Sequence, residues 1–266
     1  MKKVVLKIIG VFGLFALTFG AAPVWADDDS PVSGSADVAF SSQYVWRGMG
    51  LSESSIVIQP SATISYEGFS INLWGNLDTD LDGYGEKSFN ETDLTLSYDW
   101  SLDMISIGVG YIYYGLAGAY PVIEYDEETE AITSADAREL EDTQELYLSV
   151  GFDTILAPSI TIYRDIDAAE GWYINLGIGH SIAFSDEMAL DLGASVGYSD
   201  YDGISNLTDG SISASITFAA NEYISITPSI AYTFALTDDG EDYLKGLSLD
   251  SDSQHFFGGI TCSISF

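Results

Sequence analysis

The chain has 266 residues, of which 41 are Asp or Glu and only 8 are Lys or Arg, so its formal net charge at pH 7 is −33. A surface this acidic repels phosphate, which excludes nucleic acid as a partner. The hydrophobic content of 47% excludes a disordered acidic tail, and the single cysteine excludes an internal disulfide.

The N-terminal segment has the organisation of a cleavable export signal. Three lysines precede an apolar stretch at residues 8–19, and a small-residue cleavage site ending at Ala26 follows. The apolar stretch is shorter than the roughly 20 residues with which a helix crosses a bilayer, and this disfavours a permanent anchor. We therefore expect residues 1–26 to be a cleaved signal peptide and residues 27–35 a periplasmic N-terminal segment. The remaining residues, 36–266, form one predicted outer-membrane domain.

From residue 36 onward, segments of roughly ten residues alternate apolar and small polar side chains, which is typical of a transmembrane β-barrel. In the last segment, Ile260, Cys262 and Ile264 share one face while small polar residues occupy the other. Twelve such segments are predicted, and an even number suits a bacterial barrel whose termini both lie on the periplasmic side. The predicted strands are residues 36–46, 56–66, 69–78, 90–98, 104–114, 144–152, 158–165, 172–184, 188–198, 211–218, 223–234 and 254–266.

The connections alternate between short and long, which supports a closed, antiparallel, up-and-down all-β barrel of about 12 strands. The short connections are the expected periplasmic turns: 67–68, 99–103, 153–157, 185–187 and 219–222. The longer links are expected outside the cell: 47–55, 79–89, 115–143, 166–171, 199–210 and 235–253.

The alternation also predicts which side chains meet lipid. In the first strand the outward face holds Val38, Phe40, Tyr44 and Trp46. Aromatic residues are expected at both membrane interfaces. One predicted belt comprises Trp46, Trp172, Tyr198 and Phe234, and the other Tyr66, Tyr98, Trp100, Phe184 and Phe218.

The first strands also carry a family resemblance. Residues 38–48 end in Tyr-Val-Trp-Arg-Gly, and Gln-Pro-Ser at 59–61 and Gly-Phe-Ser-Ile-Asn-Leu-Trp-Gly-Asn at 68–76 follow. This stretch resembles the opening of the TorF-type porin family of Gram-negative bacteria, whose members carry a similar strand ending in Tyr-Val-[Trp/Phe]-Arg-Gly. The close match covers about residues 36–80. The resemblance implies an outer-membrane barrel of porin type and carries over no catalytic residue.

The inward face is predicted to line a pore. Its candidate pore-lining residues are Asp37, Arg47, Asn72, Trp74, Asn76, Glu91, Asp93, Glu145, Asn175 and Asp191. Twelve strands should leave a narrow lumen, and carboxylates in a confined passage favour cations over anions. An alternative stays open, in which these carboxylates pair with Arg47 or face bulk water at the rims.

The predicted function is passive diffusion of small solutes through a porin-like channel that prefers cations or is neutral to charge. One alternative is a plugged barrel that serves as a structural or adhesion protein through its acidic outer loops. The other is an enzyme that modifies outer-membrane lipid. Its residues would be His255 with Ser251, Asp252 or Ser253, because His180 falls on the lipid face. We expect no enzyme and no catalytic residue, since no His-x-Ser pair of the phospholipase kind is present.

One outer link carries a partial calcium motif. Asp78, Asp80 and Asp82 followed by Gly83 reproduce the first half of a calcium loop, but Phe89 stands where the loop needs Glu. Calcium is therefore a weakly supported ligand, and no other cofactor is expected. The expected partners are outer-membrane lipid, lipopolysaccharide and the barrel assembly machinery, and the solute stays open.

Overall fold

The computed structural model describes residues 31–53, 55–79, 89–117, 119–126, 131–201 and 203–266, so the predicted signal peptide lies outside the described residues. The strands are β1 (Val32–Ser41), β2 (Val45–Trp46), β3 (Met49–Gly50), β4 (Val57–Tyr66), β5 (Phe69–Asp78), β6 (Phe89–Leu102), β7 (Ile105–Leu116), β8 (Ala119–Asp126), β9 (Ala131–Glu139), β10 (Thr143–Phe152), β11 (Ser159–Asp165), β12 (Trp172–Ser185), β13 (Met188–Tyr201), β14 (Ile204–Ala219), β15 (Ile224–Ala235) and β16 (His255–Ser265). One helix, α1 (Asp238–Leu247), lies between β15 and β16. Among the described residues, no helix has the length and apolar character needed to cross a bilayer.

Twelve of these strands form a closed antiparallel barrel, which confirms the predicted fold. Barrel strands pair in chain order, and β7 pairs with β10 because β8 and β9 form a separate hairpin. The barrel closes where β1 pairs with β16, from Ser35 opposite Ser265 to Ser41 opposite Gly259. Closure gives every strand two neighbours, so the sheet has no free edge of backbone hydrogen-bonding groups.

Side chains alternate between the two faces of the barrel wall as the sequence predicts. Large apolar residues are exposed on the outer face, among them Ile71, Leu73, Leu148, Leu176 and Ile260. In water such exposure would be unfavourable, but in a bilayer this face contacts lipid chains. The outer surface therefore matches that of a membrane-spanning barrel.

The first predicted strand is wrong at its C-terminal end. β1 ends at Ser41, whose hydroxyl donates a hydrogen bond to the carbonyl of Gln43 (2.8 Å), and the chain then turns into the lumen. Tyr44 and Trp46 are only 4% and 1% exposed, so they do not contact lipid and Trp46 belongs to no aromatic belt. The short strands β2 and β3 form a hairpin inside the barrel instead.

The turn of this hairpin explains the Arg-Gly sequence at its tip. Arg47 and Gly48 both have positive φ, +46° and +80°, as a two-residue type I′ turn requires. A side chain at Gly48 would also collide with Asp209, since an added Cβ would lie 2.7 Å from the Cβ of that residue. Glycine therefore satisfies both the backbone conformation and the space.

The outer links also contain more regular structure than predicted. Most of the link predicted at 199–210 belongs to β13 and β14, and α1 lies within the link at 235–253. The N-cap of the helix is Thr237, whose hydroxyl accepts a hydrogen bond from the backbone N–H of Gly240 (3.0 Å). Acidic residues occupy its first turn, where their negative charges are attracted by the positive end of the helix dipole.

The hairpin and the helix are joined inside the barrel. The backbone N–H of Gly50 donates to the hydroxyl of Ser248 (3.0 Å), and the N–H of Leu249 donates to the carbonyl of Gly50 (2.8 Å). The fully buried Leu244 lies over Gly48. We call residues 42–53 together with α1 the plug.

Barrel closure predicts that two glycines differ in how well they tolerate replacement by alanine. An added Cβ at Gly259 would collide with the backbone carbonyl of Phe40 across the closing pair β1–β16, whereas one at Gly179 would lie an ordinary 3.6 Å from the carbonyl of Leu192. Gly259→Ala should therefore cost about 1–3 kcal/mol of barrel stability, a typical cost of overpacking. Heat-dependent gel mobility of the folded barrel measures this, with Gly179→Ala as the matched control. Equal melting of the two variants would contradict the assigned closure.

Candidate functional site

The lumen is open over one half of the barrel. A cavity of about 1410 Å³ begins at the end that carries the short turns, at 152–157 and 219–224, and ends at Arg47, Tyr163 and Tyr173. Small uncharged polar side chains line much of its wall, among them Ser149, Thr161, Asn175, Ser195, Ser211 and Thr217. These side chains are too short to fill a twelve-stranded barrel, so a polar, solvent-accessible space results.

The other half of the lumen is filled by the plug. Its buried apolar cluster comprises Tyr44, Trp46, Met49, Leu51, Val57, Trp74 and Leu244. Most of these residues come from the plug itself, while Val57 and Trp74 come from the barrel wall. The cluster lies beyond the inner end of the cavity and narrows the lumen there.

Arg47 lies at the boundary between the two halves and is held by Glu145 of β10. Its two Nη atoms donate to the two carboxylate oxygens, each at 2.8 Å, in a bidentate pair. Arg47 is 5% exposed and Glu145 0%, so both charges are removed from water. The hydroxyl of Tyr114 donates to Glu145 (2.7 Å), and Arg47 donates to the hydroxyl of Tyr201 (3.0 Å).

Three aromatic rings complete the surroundings of the guanidinium. Its carbon lies 4.2 Å from the ring centroid of Tyr173, 4.3 Å from that of Trp46 and 4.6 Å from that of Tyr163. Burial disfavours the charged form, but the negative charge and hydrogen bonds of Glu145 raise the pKa of Arg47 well above its usual value. Arg47 therefore stays charged, and its charge is balanced locally by Glu145.

A second carboxylate fixes the neighbouring wall. Asp209 of β14 accepts hydrogen bonds from the hydroxyls of Tyr173 (3.0 Å) and Thr208 (3.0 Å). Tyr173 also stacks beneath Arg47, and Asp209 lies against Gly48. The tip of the hairpin is thus positioned by wall residues on several strands.

The predicted pore-lining residues divide between the two halves. Arg47, Asn175 and Asp191 line the cavity. At the level of the plug the structure buries Trp74, Asn76, Glu91, Asp93 and Glu145. Their role in lining a pore stays a prediction.

Two further candidates, Asp37 and Asn72, are half-buried on the inward side of the wall. The hydroxyl of Ser35 donates to Asp37 (3.3 Å), and the amide of Asn72 donates to Ser61 and Thr63 (2.8 Å each). Both side chains therefore belong to local polar networks of the wall.

Several residues of the site escaped the sequence analysis, namely Tyr114, Tyr173, Tyr201, Asp209 and Leu244. Tyr173 has the same phase as the predicted Asn175, so alternation contained the signal for it. Asp209 lies beside an irregularity in the β13–β14 pairing, where the phase of the strand shifts.

The structure describes only part of the predicted calcium motif. Asp78 is buried at the end of β5, but Asp80 and Asp82 lie outside the described residues. In the part of the chain that the structure describes, no group of three or more His, Cys, Asp or Glu is arranged to hold a metal ion.

The two histidines weighed for catalysis have other contacts. His180 contacts the carbonyl of Ile155 (2.7 Å), and His255 contacts Asp250 (3.2 Å) rather than a described serine hydroxyl.

With this geometry in place, residues 25–240 match a family described as "Bacterial protein of unknown function (Gcw_chp)". The chain belongs to the Gcw_chp family. No curated protein sequence matches it. The TorF-type likeness stays a resemblance carried by residues 36–80.

Solved structures with a similar fold are outer-membrane channels. KdgM porin is 11% identical with a TM-score of 0.53, covering 87% of this chain and 99% of that chain. The COG4313 outer membrane channel from Pseudomonas putida F1 is 10% identical with a TM-score of 0.52, covering 93% and 99%. NanC porin is 10% identical with a TM-score of 0.50, covering 87% and 98%. At these identities the likeness shows that the fold is that of outer-membrane porins.

The buried ion pair makes a clear prediction. Arg47→Met leaves Glu145 as an uncompensated buried charge, which costs about 3–5 kcal/mol in comparable pairs. The double variant Arg47→Met with Glu145→Gln removes both charges and should recover most of that loss. Thermal unfolding in detergent measures both.

The exposed helix pair between Lys245 and Glu241 provides the control, because Lys245→Met removes an ion pair in water and should have little effect. If the double variant unfolds as early as Arg47→Met, charge pairing does not explain the stability of this site.

Proposed function

We propose that this protein is an outer-membrane channel of porin type for passive diffusion of small solutes. The observation that carries the proposal is the polar cavity of about 1410 Å³, which opens at one end of a closed membrane barrel and ends at Arg47. The porin fold of the similar structures supports it. In this proposal the cavity is the aqueous vestibule and the plug is the constriction.

The proposal includes the location and the partners. A signal peptide directs export, and the barrel assembly machinery inserts the chain into the outer membrane. The exposed apolar wall contacts lipid, and the acidic outer loops face lipopolysaccharide. The exposed apolar wall and the sequence of the first 26 residues support this proposal.

We further propose that the channel prefers cations or is neutral to charge. Near its mouth the cavity is lined by Asp153, Asp186 and Glu187, and Asp191 lies on the same wall. Arg47 adds no net positive charge, because Glu145 balances it. Glu91 and Asp93 lie buried at the level of the plug, so the proposed preference depends on the carboxylates of the cavity.

A planar bilayer tests the channel directly. The purified full chain should produce discrete conductance steps, and Leu244→Ala, which leaves a void where α1 covers the hairpin, should increase the conductance or the open fraction. Lys245→Met, on the exposed face of the same helix, should match the wild type. If neither the wild type nor Leu244→Ala produced conductance steps, the channel proposal would be wrong.

Charge selectivity gives a second measurement. Reversal potentials in a salt gradient should show cation preference, and Asp191→Asn should lower the ratio of cation to anion permeability. The preference should weaken at 1 M salt, where the screening length is about 3 Å. A variant with a shortened 124–142 link separates the field of the outer loops from that of the vestibule. Anion preference would contradict the assignment.

A plugged structural or adhesion protein is the second candidate. The filled half of the lumen favours it, because Trp46, Tyr114 and Leu244 are fully buried at the level of the plug. Binding of the outer loops to a partner, with no conductance in any plug variant, would establish this candidate.

A further inference from the structure

Two carboxylates lie unpaired at the contact between the plug and the barrel wall. Glu91 and Asp93 occupy successive inward positions on β6 and are 2% and 0% exposed. One oxygen of Glu91 and both oxygens of Asp93 have no hydrogen-bond partner in the described part of the chain. Burial of ionised carboxylates is strongly unfavourable unless they are paired or coordinate a metal. Arg47 does not pair with either of them, because its hydrogen bonds go to Glu145 and Tyr201.

Further unpartnered oxygen atoms lie close to this pair. Thr95, the next inward residue of β6, has a buried hydroxyl without a described partner. From the plug, the buried hydroxyl of Tyr44 lies near Glu91 but outside hydrogen-bond geometry. Oxygens from two separate elements therefore face one another here.

We propose that a divalent metal cation binds at this contact, held by Glu91 and Asp93 with the hydroxyl of Tyr44, and that it fastens the plug to the wall. Side chains on one face of a strand repeat every 6.6–6.8 Å or so, and carboxylates at that spacing can converge on an ion coordinated at about 2.3–2.6 Å. All the donor atoms are hard oxygens, which favours Ca²⁺ over Zn²⁺. Two positive charges balance the two carboxylates.

This site differs from the acidic loop at residues 78–83 that the sequence suggested. Its carboxylates belong to one barrel strand, and a further donor, Tyr44, comes from the plug. The inference depends on the contact between plug and wall and not on conduction through the barrel.

Tb³⁺, a luminescent substitute for Ca²⁺, tests the site locally. The ring of Tyr44 lies 5.7 Å from that of Trp74, so excitation of these aromatic residues should sensitise a Tb³⁺ ion bound beside Tyr44. We expect sensitised emission from the purified, chelator-treated full chain, and Ca²⁺ should abolish it. Asp93→Asn and Glu91→Gln should each weaken binding by more than about tenfold, since removal of even indirect metal contacts costs that much. Asp103→Asn removes a carboxylate from a short turn and should bind as the wild type does.

Thermal unfolding provides the second measurement. Ca²⁺ should raise the midpoint of the wild type by mass action and leave the double variant Glu91→Gln with Asp93→Asn unchanged. The double variant lacks both buried charges, so it should fold even if a single variant does not. Equal Tb³⁺ affinity of Asp93→Asn and the wild type, or an equal Ca²⁺ shift in the double variant, would overturn the site. Neither measurement involves conduction, so failure of the channel proposal is recognised separately in the planar bilayer.

Discussion

Closure of the backbone hydrogen-bond ladder is the constraint on which the rest of this molecule depends. Hydrocarbon offers no hydrogen-bond partner, so a sheet crosses a membrane only if its first and last strands pair, as β1 and β16 do. With twelve strands, the closed wall encloses more volume than small inward side chains can fill. The chain leaves one part of this volume as a polar cavity and fills the other part with two of its own connections.

The plug is itself a consequence of closure. Its hairpin follows β1 and its helix precedes β16, so the two segments are distant in sequence but adjacent where the barrel closes. The N–H of Gly50 donates to the hydroxyl of Ser248 and its carbonyl accepts from the N–H of Leu249, and these bonds join the two segments. Insertion of the hairpin carries Arg47 to the lumen side of Glu145, where a buried bidentate pair forms. Breaking one partner of such a pair costs far more than replacing both, so the plug has a strongly preferred position.

The strands could be predicted from the sequence because lipid and lumen impose opposite polarities on alternate residues. Ile260 and Cys262 face outward and Thr261 faces inward, as their alternation predicts. The same rule failed at Tyr44 and Trp46, whose apolar side chains suit either lipid or a buried cluster. Their direction is decided by the turn at Ser41 and by the positive φ of Arg47 and Gly48, which alternation does not reveal.

The helix and the site differ in how far local sequence could have revealed them. Thr237 followed by acidic residues is a recognisable N-cap pattern, so the start of α1 could have been predicted from the sequence. The pairing of Arg47 with Glu145 could not have been predicted, because many carboxylates face inward in the same way. Only the three-dimensional arrangement of the strands brings Glu145 to Arg47.

The pairing of Arg47 with Glu145 also determines the electrostatics of the lumen. An arginine placed alone at the end of a polar cavity would attract anions, but the bidentate contact of Arg47 with Glu145 removes that effect. Glu91, Asp93 and Asp209 lie buried in the strands around the same level, so described carboxylates outnumber Arg47 where the plug meets the wall. The charge of Arg47 in the plug is therefore balanced by Glu145 of the wall. Any change that moves the hairpin alters the width of the lumen and its charge together, because Arg47 is part of both.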